Sequence, residues 1–147
     1  MAEEVVVKEQ LTPDMIAAGD ELTKRLRSDK DFYLVCSLWL YTSESNDWKL
    51  VVATPIAESP GPIHVYQRIQ GIIGEDWPAH LEIHLYTISV LRPNHSFVRA
   101  LRSLGHFEIQ ELPPGPRPTV RMPKRITFTR IQDVFIEDAL IYYIEAL

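Results

Sequence analysis

Cysteine and long apolar runs are scarce in this sequence of 147 residues, and each scarcity excludes a class of protein. Cys36 is the single cysteine, so the chain forms no internal disulfide, and its place inside an apolar run predicts a small buried side chain rather than a nucleophile. No apolar run reaches the roughly 18 residues of a membrane-spanning helix, and the acidic N-terminus lacks the pattern of a signal peptide. We therefore expect a cytoplasmic protein with no membrane partner.

Motifs with a defined chemistry are missing as well. The chain has no glycine-rich phosphate loop, no G-x-S-x-G nucleophile elbow and no zinc-finger spacing. Catalysis at neutral pH needs converging polar groups in a perturbed environment, and the sequence offers a single cluster of that kind. We expect a binding or regulatory module that acts as a homo-oligomer, rather than an enzyme with a self-contained active site.

The composition is that of an ordinary globular protein. Apolar residues make up 46% of the chain and charged residues 24%, so we expect residues 1–147 to form one domain with a substantial core. The formal net charge of −5 gives no overall attraction to nucleic acid or to anionic membranes. A nucleic-acid partner would need a local basic patch.

Two apolar runs joined by a polar tip organise the predicted fold. Residues 32–41 are rich in aromatic and branched side chains, which predicts a strand, and residues 48–54 predict a second strand. Serine, asparagine and aspartate in residues 42–47 favour a hairpin loop between them. Both strands are apolar on both faces, so we expect helices or a partner chain to cover both sides of the sheet.

Helical periodicity predicts three helices around this hairpin. The first begins at Thr12 and Pro13 and ends by about Ser28, the second follows the turn of residues 58–62, and the third ends at Gly105. Further strands are predicted at residues 81–91, 107–112, 119–122, 126–131 and 135–144, with a helix as the alternative for the last one. The sequence thus predicts a single-domain α/β or α+β fold, a mixed sheet flanked by about three helices in the order α-β-β-α-β-α-β-β-β. The strand–helix–strand unit around the second helix predicts a parallel strand pair.

The first candidate site is the segment HLEIH, in which His80, Glu82 and His84 alternate with apolar residues. On a strand these three side chains would share one face, and two imidazoles with a carboxylate are a ligand set for zinc or ferrous iron. Asp76 or His64 could complete the shell of a metal-dependent hydrolase. The alternative is the solvent face of an amphipathic strand, because ligands about 7 Å apart along one strand do not readily surround an ion. We expect no other cofactor.

The second candidate site is a local excess of positive charge. The chain has no acidic residue between positions 112 and 132. It has five basic residues there: Arg117, Arg121, Lys124, Arg125 and Arg130. The segment could bind the phosphates of a nucleic acid, or the acidic Glu3, Glu4 and Glu9 of another subunit. The third interpretation is a solvated hairpin whose charges keep an edge strand from aggregating.

The third candidate is an aromatic set, Tyr33, Trp39 and Tyr41, which share one face of the first strand if its alternation is unbroken. Tyr142 or Tyr143 could lie nearby. Aromatic side chains with polar ends are frequent in interfaces and ligand clefts, and also in plain cores. We expect a core or a homodimer interface here rather than a small-molecule pocket, because no phosphate loop accompanies the set.

Overall fold

The computed structural model describes residues 7–110 and 122–147, and all of its strands belong to one sheet. The helices are α1 (Pro13–Ser28), α2 (Pro62–Gly74) and α3 (Ser96–Arg102). The strands are β1 (Cys36–Thr42), β2 (Asp47–Ala53), β3 (Ile88–Leu91), β4 (Phe107–Glu108), β5 (Lys124–Ile131) and β6 (Val134–Ile144). The order of elements confirms the predicted mixed sheet with three helices, and the fold is of the α+β class.

The sheet has the strand order β3-β2-β1-β6-β4, and β5 also pairs with β6. β2 and β3 are parallel, which confirms the predicted crossover through α2, and the other pairs are antiparallel. One edge of β6 pairs with β1. Its other edge pairs with β5 along residues 134–141 and with β4 at residues 143–144, so β5 lies beyond β6 at one side of the sheet.

Helices cover both faces of the central strands. Leu22 and Leu26 of α1 pack with Val65 and Ile69 of α2 in one apolar core. Val98, Ala100 and Leu101 of α3 belong to a second core on the opposite face. The hydroxyl oxygen of Thr12 accepts a hydrogen bond from the backbone nitrogen of Met15 at 3.2 Å, so the predicted helix start is confirmed.

The first strand begins at Cys36, four residues later than predicted. Tyr33 has a φ of 52°, which takes the backbone out of the extended region and breaks the alternation before the strand. Phe32 and Leu34 consequently pack in the same core as Trp39, not on the opposite face as predicted.

The prediction of a strand over residues 81–91 is correct only at its end. Residues 81–84 have no regular structure, residues 85–87 form a short 3-10 turn, and β3 covers Ile88–Leu91. The C-terminal segment is a strand, so its helix alternative is wrong. Residues 119–121 of the predicted short strand lie outside the described part of the chain. Met122, which is described, is not in a strand. No helix in the described ranges is long and apolar enough to cross a membrane.

Candidate functional site

The side chains of His80, Glu82 and His84 are exposed, but they do not lie on a strand. Nε2 of His84 is 3.3 Å from Oε1 of Glu82, and the His84 ring stacks on Tyr86 with 5.0 Å between the ring centroids. Within residues 7–110 and 122–147, no group of three or more His, Cys, Asp or Glu side chains could hold a metal ion. The metal prediction depended on a strand, and residues 80–84 do not form one. We therefore do not propose a hydrolase site here.

Trp39 and Tyr41 of the predicted aromatic set are buried in the core under α1. The indole nitrogen of Trp39 donates a hydrogen bond to the carbonyl oxygen of Met15 at 3.1 Å, and the hydroxyl of Tyr142 donates one to the carbonyl oxygen of Ile16 at 2.6 Å. These two bonds attach α1 to the sheet. Trp39 and Tyr41 are thus core residues and not a surface for a ligand or a second subunit.

Tyr33 lies apart from this core. Its side chain is 56% exposed, and its hydroxyl donates a hydrogen bond to Oε1 of Glu145 at 3.0 Å. This bond to a carboxylate is the largest of the effects that raise the pKa of Tyr33. The structure does not bring Tyr33 together with the other two residues of the predicted set.

Cys36 is fully buried at the start of β1. Burial raises the pKa of its thiol to about 12, since an apolar environment disfavours the thiolate. The thiol is protonated at neutral pH, and the predicted structural role of Cys36 is confirmed.

The structure separates the predicted basic residues by their surroundings. Arg117 and Arg121 lie outside the described residues. Arg125 is bound by the buried Asp138, to which it donates hydrogen bonds from Nε and, at 2.7 Å, from Nη2. Lys124 and Arg130 are exposed on β5. Arg125 therefore stabilises the fold, although its side chain is 47% exposed, and Lys124 and Arg130 are the described positive charges of the segment without an ion pair.

Asp138 is the centre of a small charged cluster at the same end of the sheet. Its side chain is 2% exposed, and Nζ of Lys8 lies 2.5 Å from Oδ2. The Lys8 ammonium also lies over the rings of Tyr41 and Trp48, with 4.6 Å and 5.6 Å to the centroids. Burial alone would raise the pKa of Asp138, but the hydrogen bonds and charges of Arg125 and Lys8 lower it overall. The cluster attaches the segment before α1 to β5 and β6.

β5 is exposed along most of its length. Of its eight residues, Ile131 is buried and Ile126 and Thr129 are half-buried, while the others are exposed. Among the described strands β5 pairs with β6 alone, so its outer edge has no strand partner there. Phe128, in the middle of β5, is 76% exposed and has a φ of 46°. The strand presents backbone groups, an aromatic ring and three positively charged side chains to solvent, of which Arg125 is paired with Asp138.

The sequence analysis missed a second polar cluster, at the C-terminal end of α1. Nη2 of Arg27 is 2.8 Å from Oε2 of Glu108, and its guanidinium lies 4.3 Å from the ring centroid of Tyr143. The ring of His106 meets Tyr143 edge-on. The hydrogen bond from Arg27 is the main reason why the pKa of Glu108 is lowered. These residues are far apart in sequence, and no local pattern could have predicted that they meet.

A cleft of about 460 Å³ lies beside this cluster. Its walls are formed by Asp20, Thr23, Lys24, Arg27, Ser28, Ile109 and Tyr142. Arg27 is bound to Glu108, and the hydroxyl of Tyr142 is bound to α1, so both have structural partners already.

No family model, curated protein or solved structure matches the chain. The exposed edge of β5 is consequently the candidate site that the described surface supports best.

Proposed function

We propose that this protein is a binding module that recognises a second polypeptide by strand addition to the outer edge of β5. An unpaired strand edge offers a row of backbone donors and acceptors to an extended segment. Backbone hydrogen bonds then supply affinity, and side chains along the edge supply specificity. β5 has eight residues, and its ladder is interrupted at Phe128, so a peptide would pair with residues 124–127 on one side of Phe128 or with residues 129–131 on the other.

The observation that carries this proposal is Phe128. An L-residue in the left-handed region costs roughly 1–2 kcal/mol, and glycine or asparagine would reduce that cost. Phe128 does not recover the cost by burial, because it is 76% exposed. A strained and exposed aromatic residue on an edge strand supports a role in binding, since aromatic side chains are frequent anchors of interfaces.

A second copy of the chain is a less favourable partner for this edge. If two β5 strands paired in antiparallel fashion about Thr127, Lys124 of each copy would face Arg130 of the other. Like charges at opposed positions destabilise a strand pair. We therefore propose a different polypeptide at β5, and we keep self-association through another surface, and a cytoplasmic location, as predictions.

A nucleic acid is also less favoured. Affinity for phosphates grows with the number of positive charges that neutralise them. Arg125 is paired with Asp138, a carboxylate that it shares with Lys8, and Lys124 and Arg130 are the described positive charges of the segment without an ion pair. Two charges six positions apart fit an acidic peptide better than a phosphate backbone.

The proposal can be tested with synthetic peptides. Three labelled nine-residue peptides share a Thr-Val-Thr-Val-Thr centre and carry Glu (SETVTVTES), Gln (SQTVTVTQS) or Lys (SKTVTVTKS) on both sides. Fluorescence anisotropy measures their binding, and SETPTPTES is the control, because proline lacks the backbone donor that strand addition needs. We expect at least one of the three to bind and the proline peptide not to bind.

The Phe128→Asn substitution tests the residue that carries the proposal. We expect peptide binding to weaken about tenfold or more, while the midpoint of urea unfolding stays the same or rises, because asparagine tolerates a positive φ. Tyr86→Asn is the matched control: Tyr86 is a 74% exposed aromatic residue just before β3, at the opposite edge of the sheet. Binding by Phe128→Asn at the wild-type level, or binding of none of the peptides by the wild type, would refute the proposed function.

A further inference from the structure

We infer that the pocket around Lys8 is a recognition site for an extended segment with one lysine, which residues 7–9 of the chain fill until a second polypeptide displaces them. The pocket is formed by Asn46 of the β1–β2 loop, Trp48 of β2 and Asp138 of β6. Hydrogen bonds between these side chains and residues 7–9 carry the inference. It does not depend on the function proposed for the edge of β5.

Asn46 binds the backbone on both sides of Lys8. Its Nδ2 donates a hydrogen bond to the carbonyl oxygen of Val7 at 3.1 Å, and its Oδ1 accepts one from the backbone nitrogen of Glu9 at 3.1 Å. The indole nitrogen of Trp48 donates a third bond to the carbonyl oxygen of Glu9 at 2.9 Å. Every residue type except proline offers the same backbone groups, so these bonds select an extended segment and leave the neighbours of the lysine open.

The contacts of the side chain select lysine. Nζ of Lys8 donates a hydrogen bond to Oδ2 of Asp138 at 2.5 Å, and Asp138 is 2% exposed. The ammonium also lies 5.6 Å from the ring centroid of Trp48. A hydrogen bond between two charged groups is stronger than one between neutral groups, and a buried carboxylate requires such partners. The pocket therefore favours lysine over a neutral side chain of similar length.

The segment that fills the pocket is held without burial of its own side chains. Residues 7–10 are exposed and have no regular secondary structure, and the side chain of Lys8 is itself 41% exposed. If the segment left, polar contacts would break, and Asp138 would keep its hydrogen bonds from Arg125. Exposed segments of this kind open locally at a low free energy. A competing segment can thus reach the pocket while the core stays folded.

Residues 7–9 act as a tethered competitor for any such segment. The link to α1 is short, and a short link gives an effective concentration on the order of millimolar. A free peptide therefore binds weakly while the pocket is filled. A second copy of the chain would offer the same contacts and lose translational freedom, so it gains nothing over residues 7–9. A different polypeptide can add contacts on either side of its lysine, and we assign the site to such a partner.

A release variant of the full chain tests the inference. Lys8→Glu/Glu9→Pro sets a carboxylate against Asp138 and removes an N–H that the pocket binds, so residues 7–10 should leave it. The labelled peptide GSVKEQGS repeats those four residues. We expect fluorescence anisotropy to show that the release variant binds it about tenfold or more tightly than the wild type does. Lys30→Glu, at an exposed residue, is the control and should bind as weakly as the wild type.

Altered peptides test how the pocket recognises the segment. With the release variant, glutamine in place of lysine should weaken binding about tenfold or more, and proline in place of glutamate about threefold or more. Trimethyllysine keeps the charge but has no N–H for the carboxylate, so it should bind more weakly than lysine. Asn46→Gly in the release variant should also weaken binding about threefold or more. Its backbone should be retained, because glycine tolerates the φ of 48° at this position.

Three results would overturn the inference. Equal binding of GSVKEQGS by the wild type and the release variant would place the peptide on another surface. No binding to the release variant, or equal affinity for the lysine and glutamine peptides, would show that the pocket does not recognise lysine in a second chain. A wild-type dimer that the release variant converts to a monomer in sedimentation would assign the pocket to exchange of residues 7–9 between copies, and would overturn the different partner.

Discussion

Gly19 shows at the scale of one residue how closely α1 approaches the sheet. A Cβ atom at this position would lie 2.6 Å from the hydroxyl oxygen of Tyr142 and 2.7 Å from the indole nitrogen of Trp39. Those two side chains donate the hydrogen bonds that hold the first turns of α1. Glycine is thus required here for space, in a helix where it is otherwise unfavourable.

We predict that Gly19→Ala lowers the free energy of unfolding by about 2–4 kcal/mol, because the methyl group displaces both aromatic rings and their buried polar atoms. Gly71→Ala in α2 is the matched control. An added Cβ there meets nothing within 4 Å, so alanine should stabilise by about 0.5–1 kcal/mol through its helix propensity. Urea unfolding measures both, and equal effects at the two sites would contradict the close packing of α1.

Asp138 links the segment before α1 to β5, because it forms ion pairs with both Lys8 and Arg125. We predict that Asp138→Asn lowers the free energy of unfolding at pH 6 by about 1–3 kcal/mol, because Lys8 and Arg125 lose the negative charge that they share. Both cations are partly exposed, which keeps the effect below that of a fully buried pair.

The pH dependence of this effect follows from the lowered pKa of Asp138. A carboxyl group whose pKa is lower in the folded state contributes its stability above the unfolded value, about 3.9, and loses it as pH falls through the folded value. The difference between wild type and Asp138→Asn should therefore shrink below about pH 4. Asp133→Asn, at an exposed turn residue, is the control and should leave the free energy of unfolding at pH 6 unchanged. A gap for Asp138→Asn that stays constant down to pH 2 would contradict the role of its charge.

At the scale of elements, the sequence predicted best where several local signals agree. α1 was predicted to within a residue because Thr12, Pro13 and the stripe of Ala18, Leu22 and Leu26 all indicate the same helix. The parallel pairing of β2 and β3 followed from the length of the connection that contains α2. Local patterns and topology rules were sufficient for these elements.

The wrong predictions concern features that residue type does not reveal, namely the backbone conformation and the pairing of strands. Tyr33 and Phe128 have positive φ values although neither is a glycine or asparagine, so the periodicity of the flanking residues gave no warning. In residues 80–85 exposed and more buried side chains alternate as on a strand, but no ladder of hydrogen bonds accompanies them. Alternation reports burial, and only pairing makes a strand.

The candidate site could be predicted only in part, because the sequence shows its charges but not its long-range contacts. The excess of positive charge near Lys124 and Arg130 is visible in the sequence. The predicted strand of residues 126–131 includes Arg130, but β5 begins two residues earlier and also includes Lys124. The sequence could not show that Arg125 forms an ion pair with Asp138, thirteen residues further on. Nor could it show that Trp39 and Tyr41 lie beneath α1. Long-range contacts decide which members of a predicted set remain available to a partner.

At the scale of the whole molecule, the helices cover the central strands of the sheet but leave β5 largely exposed. α1, α2 and α3 pack on the central strands, whereas β5 lies outside β6 with most of its residues exposed. β3, at the other side of the sheet, has only four residues, none of them exposed. The molecule thus has one long, exposed strand edge in its described part, with aromatic and positively charged side chains.

Hydrogen–deuterium exchange with saturating SETVTVTES peptide locates the binding surface directly. We predict that the amides of β5 exchange more slowly in the complex, because an added strand accepts hydrogen bonds from those that face outward. The amides of β1, which is paired on both sides, and of β3, the four-residue strand at the opposite edge of the sheet, should be unchanged. Protection at β3, at the cleft beside α1, or nowhere in the chain would contradict recognition by β5.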